Sequence, residues 1–307
     1  MFGMHRNRIE KGRQEKKRLS FQRICQLSFA VLINGYAAGF RHGKIFTGSS
    51  KAFCVPVLNC YSCPGALGAC PIGSLQAAFG GRRPHVPFYV LGMLMLFGIL
   101  LGRAVCGLLC PFGLVQDLLH KIPVPKMKVP KKADRFARYI KYGILLVMVI
   151  ALPLFVAVKA GFAAPYFCKY LCPAGTLGGG IPLMLANEGL RAAAGLLFDW
   201  KVFVLAVILV ASIVIHRPFC RYLCPLGAFY SLFQRFSFYQ FHLNEEKCVD
   251  CKQCERSCPM AVEVTKNINS PECIRCGKCK SVCPVHAISS GFVCKGKKEE
   301  QEELRQQ

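Results

Sequence analysis

Cys248-Val-Asp-Cys251-Lys-Gln-Cys254-Glu-Arg-Ser-Cys258-Pro259 and Cys273-Ile-Arg-Cys276-Gly-Lys-Cys279-Lys-Ser-Val-Cys283-Pro284 decide how the end of this 307-residue chain folds. Each run reads C-x2-C-x2-C-x3-C-P, the spacing that holds a pair of [4Fe–4S] clusters. Three closely spaced thiolates wrap one cubane, and the fourth, leaving on a proline-directed turn, reaches across to the other. The spacing therefore groups Cys248, Cys251, Cys254 and Cys283 around cluster I, and Cys273, Cys276, Cys279 and Cys258 around cluster II. A structural zinc site is the plainer alternative, but zinc takes four ligands and is usually offered separated C-x2-C pairs.

Residues 247–290 resemble the bacterial two-cluster ferredoxins, which implies a small α+β domain. Outside them the composition changes in kind. The chain is 53% hydrophobic with a formal net charge of +24, and its mean hydropathy is +0.35. Greasy and basic together point to a membrane protein with basic cytoplasmic edges rather than a soluble domain. Four apolar runs, Ile24–Phe40, Val86–Leu101, Tyr142–Val158 and Val202–Ile215, predict transmembrane helices once flanking aromatic and basic residues extend them. Thr176–Leu197 is also apolar but carries Gly178-Gly179-Gly180, Pro182, Glu188 and Arg191, so it reads as a re-entrant or interfacial segment.

Lysine and arginine placement orients these spans. Arg6 to Arg23 make a basic N-terminal tail, and Lys121, Lys126, Lys128, Lys131, Lys132, Arg135 and Arg138 fill the loop after the second span. Both belong in the cytoplasm, which puts both termini and the ferredoxin domain there, under conditions that favour cluster assembly over disulfides. Pro165–Asp199 is poor in basic residues and lies outside, although Arg41, Lys44, Lys51, Arg82 and Arg83 blur the first outer loop. Topology explains the basic tail without a nucleic-acid partner. Cleavage near Ala37-Ala38 would leave three spans and strand the later basic loops on conflicting sides.

The remaining cysteines repeat. Cys106-Gly-Leu-Leu-Cys110-Pro111-Phe-Gly113, Cys168-Lys-Tyr-Leu-Cys172-Pro173-Ala-Gly175 and Cys220-Arg-Tyr-Leu-Cys224-Pro225-Leu-Gly227 are copies of C-x3-C-P-x-G. Cys70-Pro71-Ile-Gly73 is a degenerate copy, preceded by Cys54, Cys60 and Cys63-Pro64. The chain thus reads as two tandem halves, each a span, an outer cysteine site, a span and an inner cysteine site. If the C-x3-C turn is helical, its sulfurs share one face, and the proline then ends the turn. Two thiolates are half a cubane site. Cys106, Cys110, Cys220 and Cys224, all following inward-running spans, make one inner-membrane cluster site, against the plainer reading of buried structural cysteines. Outside, the preferred set is Cys60, Cys63, Cys168 and Cys172, with Cys70 as the alternative member and disulfides as the rival chemistry.

Together these features resemble the membrane polyferredoxin family, which includes the quinol-dehydrogenase subunit of periplasmic nitrate reduction and the C-terminal half of the nitrous-oxide-reductase maturation flavoprotein. The likeness runs from about Arg23 onward and matches at Cys106, Cys110, Cys220, Cys224 and the eight ferredoxin cysteines. It implies electron transfer between a quinone or cytoplasmic donor and an extracytoplasmic acceptor. This chain departs from it in having a third C-x3-C-P and an outer cysteine-rich loop, and in lacking a fused flavin domain, so any flavin sits on a partner such as an extracytoplasmic flavoprotein.

Fold and function are then expected as follows. Residues 1–23 are a basic cytoplasmic tail, 24–242 an all-α membrane bundle of four transmembrane helices in two-span halves, 243–292 an α+β ferredoxin domain, and 293–307 a charged tail. The protein is a multi-pass cell-membrane electron-transfer subunit in contact with lipid and redox partner proteins. It carries two [4Fe–4S] clusters in the ferredoxin domain, a third and a fourth in the membrane domain, and access to a quinone. Two other classes compete: a thiol–disulfide oxidoreductase using the outer cysteines, and a redox-sensing regulator. His85 and His216 are candidates for quinone contact or interface anchoring, and Cys25 and Cys294 have no assigned role. Phosphate loops, dinucleotide fingerprints and catalytic triads do not occur.

Overall fold

A computed structural model describes residues 21–127 and 129–292. Most of the basic tail, the charged tail and Cys294 lie outside the described residues.

The described chain is mostly helical, with one small sheet. Four apolar helices dominate it: α1 (Phe21–Ile33), α2 (Phe88–Leu101), α3 (Lys131–Ala160) and α4 (Leu196–Val214). Among the described residues, only α3 and α4, of 30 and 19 residues with mean hydropathy 2.5 and 2.3, are long and apolar enough to cross a membrane. The 14 residues of α2 rise about 21 Å, short of a hydrocarbon core about 30 Å thick. Two of the four expected spans thus meet the length requirement as single helices. The first run, Ile24–Phe40, breaks because α1 stops at Ile33 and a separate turn, Ala37–His42, closes on Gly43 at φ 59°. A left-handed φ costs glycine least, so the chain turns there.

Burial separates α3 and α4 from the core helices of a soluble protein. Only 22% and 17% of their most apolar windows are buried, so Phe155, Val158, Phe203 and Val210 face outward. An apolar surface of that extent suits lipid, not water. Within α3 the Leu145–Ala151 segment widens to π-helical turns just before Pro153, which has no N–H to give the regular ladder. Thr176–Leu197 is a series of short helices, Thr176–Gly180, Ile181–Ala186 and Glu188–Ala192, instead of one rod.

Each of the four Cys-Pro-x-Gly copies starts a helix. Pro71–Phe79, Pro111–Leu119 and Pro173–Gly175 follow Cys70, Cys110 and Cys172, whose backbones are extended, and Pro225–Phe233 follows Cys224, also extended. Proline suits a first helical position because its missing N–H would have no partner there. This corrects the expectation that the two cysteines of C-x3-C share one helical face with proline ending the turn. The second cysteine is instead the hinge between one helical turn and the next.

The residues cluster into two units, one built on Met95–Leu108 and the chain from Tyr230, the other on Cys25–Leu94 and Leu109–Phe229. In the first, β1 (Tyr239–Leu243) pairs antiparallel with β2 (Ile288–Phe292), Tyr239 opposite Phe292 and Leu243 opposite Ile288. Phe241, Met260, Val262, Val264, Ile274 and Ile288 form its core. Fully buried Arg103 ties the Met95–Leu108 segment to the cysteine loops, donating to Glu272 Oε2 at 2.8 Å and to the Pro271 carbonyl at 2.9 Å. Arg275 donates to the Leu101 and Gln234 carbonyls, at 3.0 and 2.9 Å, and Gln234 Nε2 donates to the Cys273 carbonyl at 2.9 Å.

Candidate metal centres

Two cavities lie in the first unit. One, with about 370 Å³ of empty space, is lined by Cys258, Cys273, Cys276 and Cys279; the other, with about 330 Å³, by Cys248, Cys251, Cys254 and Cys283. These are the crossed groups that the spacing defines. The backbone around them is doubled: Asp250 and Arg275, Lys252 and Gly277, Ala261 and His286 all adopt positive φ at matching places after the cysteines of each run. The Val262 amide donates to Cys258 Sγ at 3.5 Å and the Ala287 amide to Cys283 Sγ at 3.3 Å. Five of these six left-handed residues are not glycine. Such strain persists where the surroundings fix it, here to curl each loop around its cavity.

Burial pushes the Cys273 thiol up to about 12, with Cys276 and Cys258 adding to the shift, and raises Cys279 for the same reasons. Thiolates crowded in an apolar pocket need positive charge among them, which a cluster's iron supplies. A single tetrahedral zinc, with Zn–S near 2.3 Å, would instead draw its sulfurs within about 4 Å of one another. The residues fit a four-iron cubane.

The second unit holds two further thiol groups on a common plan. Gln76 and Gln116 each stand six residues after a Cys-Pro cysteine, Cys70 and Cys110. Gln76 Nε2 donates to Cys168 Sγ at 3.3 Å while its Oε1 accepts from the Phe167 amide at 2.9 Å. Gln116 Nε2 donates to Cys220 Sγ at 3.1 Å while its Oε1 accepts from the Phe219 amide at 3.2 Å. The Gly175 amide donates to Cys172 Sγ and the Gly227 amide to Cys224 Sγ, both at 3.4 Å. Each Cys-Pro cysteine of the first half is thereby set against a C-x3-C of the second.

Around the Gln76 group the glycines leave room beside sulfur. A methyl group on Gly175 would stand 3.5 Å from Cys60 Sγ and 3.7 Å from Cys172 Sγ, and one on Gly73 would stand 4.0 Å from Cys168 Sγ and 3.9 Å from Cys70 Cβ. Burial pushes Cys70 up to about 11 and Cys168 to about 12, with nearby thiols adding to both. Burial raises Cys63 and Cys54 too, and their sulfurs lie 3.7 Å from Asn34 Oδ1 and 3.5 Å from Ser74 Oγ.

Of the four thiols grouped as an inner site, Cys110, Cys220 and Cys224 belong to the second unit and Cys106 to the first. In the first unit a Cβ on Gly107 would fall 2.2 Å from the Ile274 carbonyl, so only glycine lets the Cys106 helix, Ala104–Leu108, pack against the Cys273 loop. In the second unit Arg217 interacts electrostatically with Cys220 and Cys110. It also pairs with Asp117, whose other partner is His216 at 3.2 Å. Burial alone would raise Asp117, but Arg217 and His216 override it and hold the carboxyl well below the usual range. His216 is therefore engaged with a carboxylate beside this thiol group, while His85 stays on a surface loop, 3.2 Å from the Arg83 carbonyl.

Sequence reasoning missed Gln76, Gln116, Asp117 and Arg217. The first two were findable, because Cys70-Pro-Ile-Gly-Ser-Leu-Gln76 and Cys110-Pro-Phe-Gly-Leu-Val-Gln116 share C-P-x-G-x-x-Q.

Known proteins support the same chemistry. A family model described as a 4Fe-4S binding domain matches residues 84–130, 144–182 and 196–243, and one described as a 4Fe-4S dicluster domain matches 241–284. An uncharacterized protein of Methanocaldococcus jannaschii is 31% identical over 64% of this chain and 68% of its own. The methylamine utilization ferredoxin-type protein MauN of Paracoccus denitrificans is 30% identical over 78% of this chain and 74% of its own. The putative electron transport protein YccM of Escherichia coli is 29% identical over 67% and 57%. No solved structure matches.

Proposed function

The chain belongs to the polyferredoxin family of ferredoxin-type electron-transport proteins, and from that premise we propose an integral membrane subunit that relays electrons between a cytoplasmic or quinone donor and a membrane or extracytoplasmic redox partner. One observation carries this reading: each ferredoxin cavity is lined by three thiols of one run and one of the other. Cys248, Cys251, Cys254 and Cys283 would hold one [4Fe–4S] cluster, and Cys273, Cys276, Cys279 and Cys258 the second. Clusters supply the one-electron chemistry when bound; the chain supplies position, hydrogen bonds and dryness.

The two sites differ in what surrounds them. Met260, Val262, Val264 and Ile274 wall the Cys273 group from water, whereas Cys251 is exposed at the other. Exchange with a soluble partner belongs at the exposed site. Gly107 brings the Cys106 segment onto the Cys273 loop. Amide donors to Cys258 and Cys283 offset the thiolate charge and raise the potentials of both sites.

In the finer reading, which rests on the sequence repeat, Cys106, Cys110, Cys220 and Cys224 hold a third cluster, and α1 and α2 join α3 and α4 as spans with both termini cytoplasmic. A hydrocarbon core about 30 Å thick is too wide for one efficient hop, so a quinone is the relay. The test is iron, acid-labile sulfide and EPR on full-length protein purified anaerobically. About eight iron atoms come from the ferredoxin sites and about four more from a third. Zinc at one ion per four cysteines, or iron without labile sulfide, would sink the proposal.

A further inference from the structure

The Gln76 thiol group repeats the Gln116 group donor for donor. In both, the glutamine spans from its own helix to a C-x3-C segment, binding the amide before the first cysteine and that cysteine's sulfur. In both, the second cysteine accepts from the glycine of C-P-x-G at 3.4 Å. N–H donors to sulfur favour the thiolate, the form in which cysteine binds iron, and partly offset the burial that raises Cys168 and Cys172.

The two copies differ in their fourth member. Four residues before Cys110 stands Cys106, but four before Cys70 stands Ala66, fully buried and without a ligand atom. Cys60 replaces it from the preceding loop, its sulfur facing the Cβ position of Gly175 together with that of Cys172. Cys60 and Cys70 both interact electrostatically with Cys168 and Cys172, whereas the Cys63 sulfur lies 3.7 Å from Asn34 Oδ1 and faces the Cβ position of Gly178 at 3.8 Å. Cys54 is set apart by position, its sulfur 3.5 Å from Ser74 Oγ.

We infer that Cys60, Cys70, Cys168 and Cys172 together ligate a further [4Fe–4S] cluster, with Gln76 as the positioning residue that donates to one of its thiolates. The inference rests on the iron–sulfur reading above and changes the sequence-based set by taking Cys70 in place of Cys63. Ligation releases the four thiol protons to solvent, and iron and sulfide come from the assembly machinery that loads the other sites.

The test compares single variants of the full chain, purified anaerobically, with the ferredoxin EPR signals as the measure of intact folding. Cys70→Ala and Cys168→Ala are each expected to lose about four iron atoms, with no further loss in the double variant, while Cys63→Ala and Cys54→Ala keep the full complement. Gln76→Leu leaves every thiol in place and is expected to keep the iron but lower the midpoint potential of one signal, a readout that does not depend on the cysteine variants folding. Full iron in both Cys70→Ala and Cys168→Ala, loss on Cys63→Ala in place of Cys70→Ala, no shifted signal in Gln76→Leu, or a disulfide mass within this group under non-reducing conditions overturns the inference. Wild-type protein that still carries its roughly eight ferredoxin irons in that event leaves the electron-transfer reading standing; protein without them takes both down.

Discussion

The ferredoxin segment and the helical unit hold their sulfurs by opposite strategies. Around Cys258 and Cys283 the donors come from amides four residues further along the same loop. Around Cys168 and Cys220 they come from glutamine side chains 92 and 104 residues away. A local site forms whenever its loop curls, while a distant one forms only when two halves of the chain are already packed together. The placing of sulfurs in the first region is thus a property of a peptide, and in the second a property of the fold.

The largest expected effect tests the crossing within the local region. Cys283→Ala removes one ligand of the group to which Cys248, Cys251 and Cys254 belong, so the EPR signal lost is that of the first run's site although the substitution lies in the second run. About four iron atoms should go with it. Loss of the Cys273 site instead would dissolve the comparison, since each run would then be self-contained. Next in size is Glu272→Ala, which takes the carboxylate from the fully buried Arg103 guanidinium and leaves it neutral acceptors such as the Pro271 carbonyl. Thermal or denaturant unfolding should register about 3–5 kcal/mol, the cost of leaving one partner of a buried pair uncompensated. A change under about 0.5 kcal/mol would mean that water reaches Arg103. Smallest is Gln116→Leu, which leaves the Phe219 amide without this acceptor at a cost of about 1–3 kcal/mol and withdraws the donor from Cys220 Sγ. Its effect on unfolding should exceed that of an exposed control such as Gln253→Leu; equality would mean that the two halves are tied by packing alone.

Legibility followed the same divide. The two groups of cysteines that line the cavities could be read from C-x2-C-x2-C-x3-C-P because every cysteine and its neighbours are set by spacing. Apolar runs located the helices but not their ends. The third begins at Lys131, well before the apolar run, because its first turns are amphipathic, and the first stops at Ile33, where Asn34 turns back to the Ala30 carbonyl. Spacing left Cys63 and Cys70 both open, since both precede proline, and Cys70 is inferred from what surrounds each sulfur. The glutamines were visible as a repeat but carry no metal-ligand chemistry of their own, so a search confined to cysteines passed over them.

The Cys-Pro hinges have an electrostatic consequence. Cys70 and Cys110 each cap a nine-residue helix, Pro71–Phe79 and Pro111–Leu119, at the end where peptide dipoles add up to about half a positive charge. Extra negative charge arriving near either sulfur is met by a fixed field that needs no reorganisation and, at these buried positions, is little screened by salt. The backbone itself, through the direction in which two short helices leave their cysteines, therefore biases this part of the chain toward its electron-rich state.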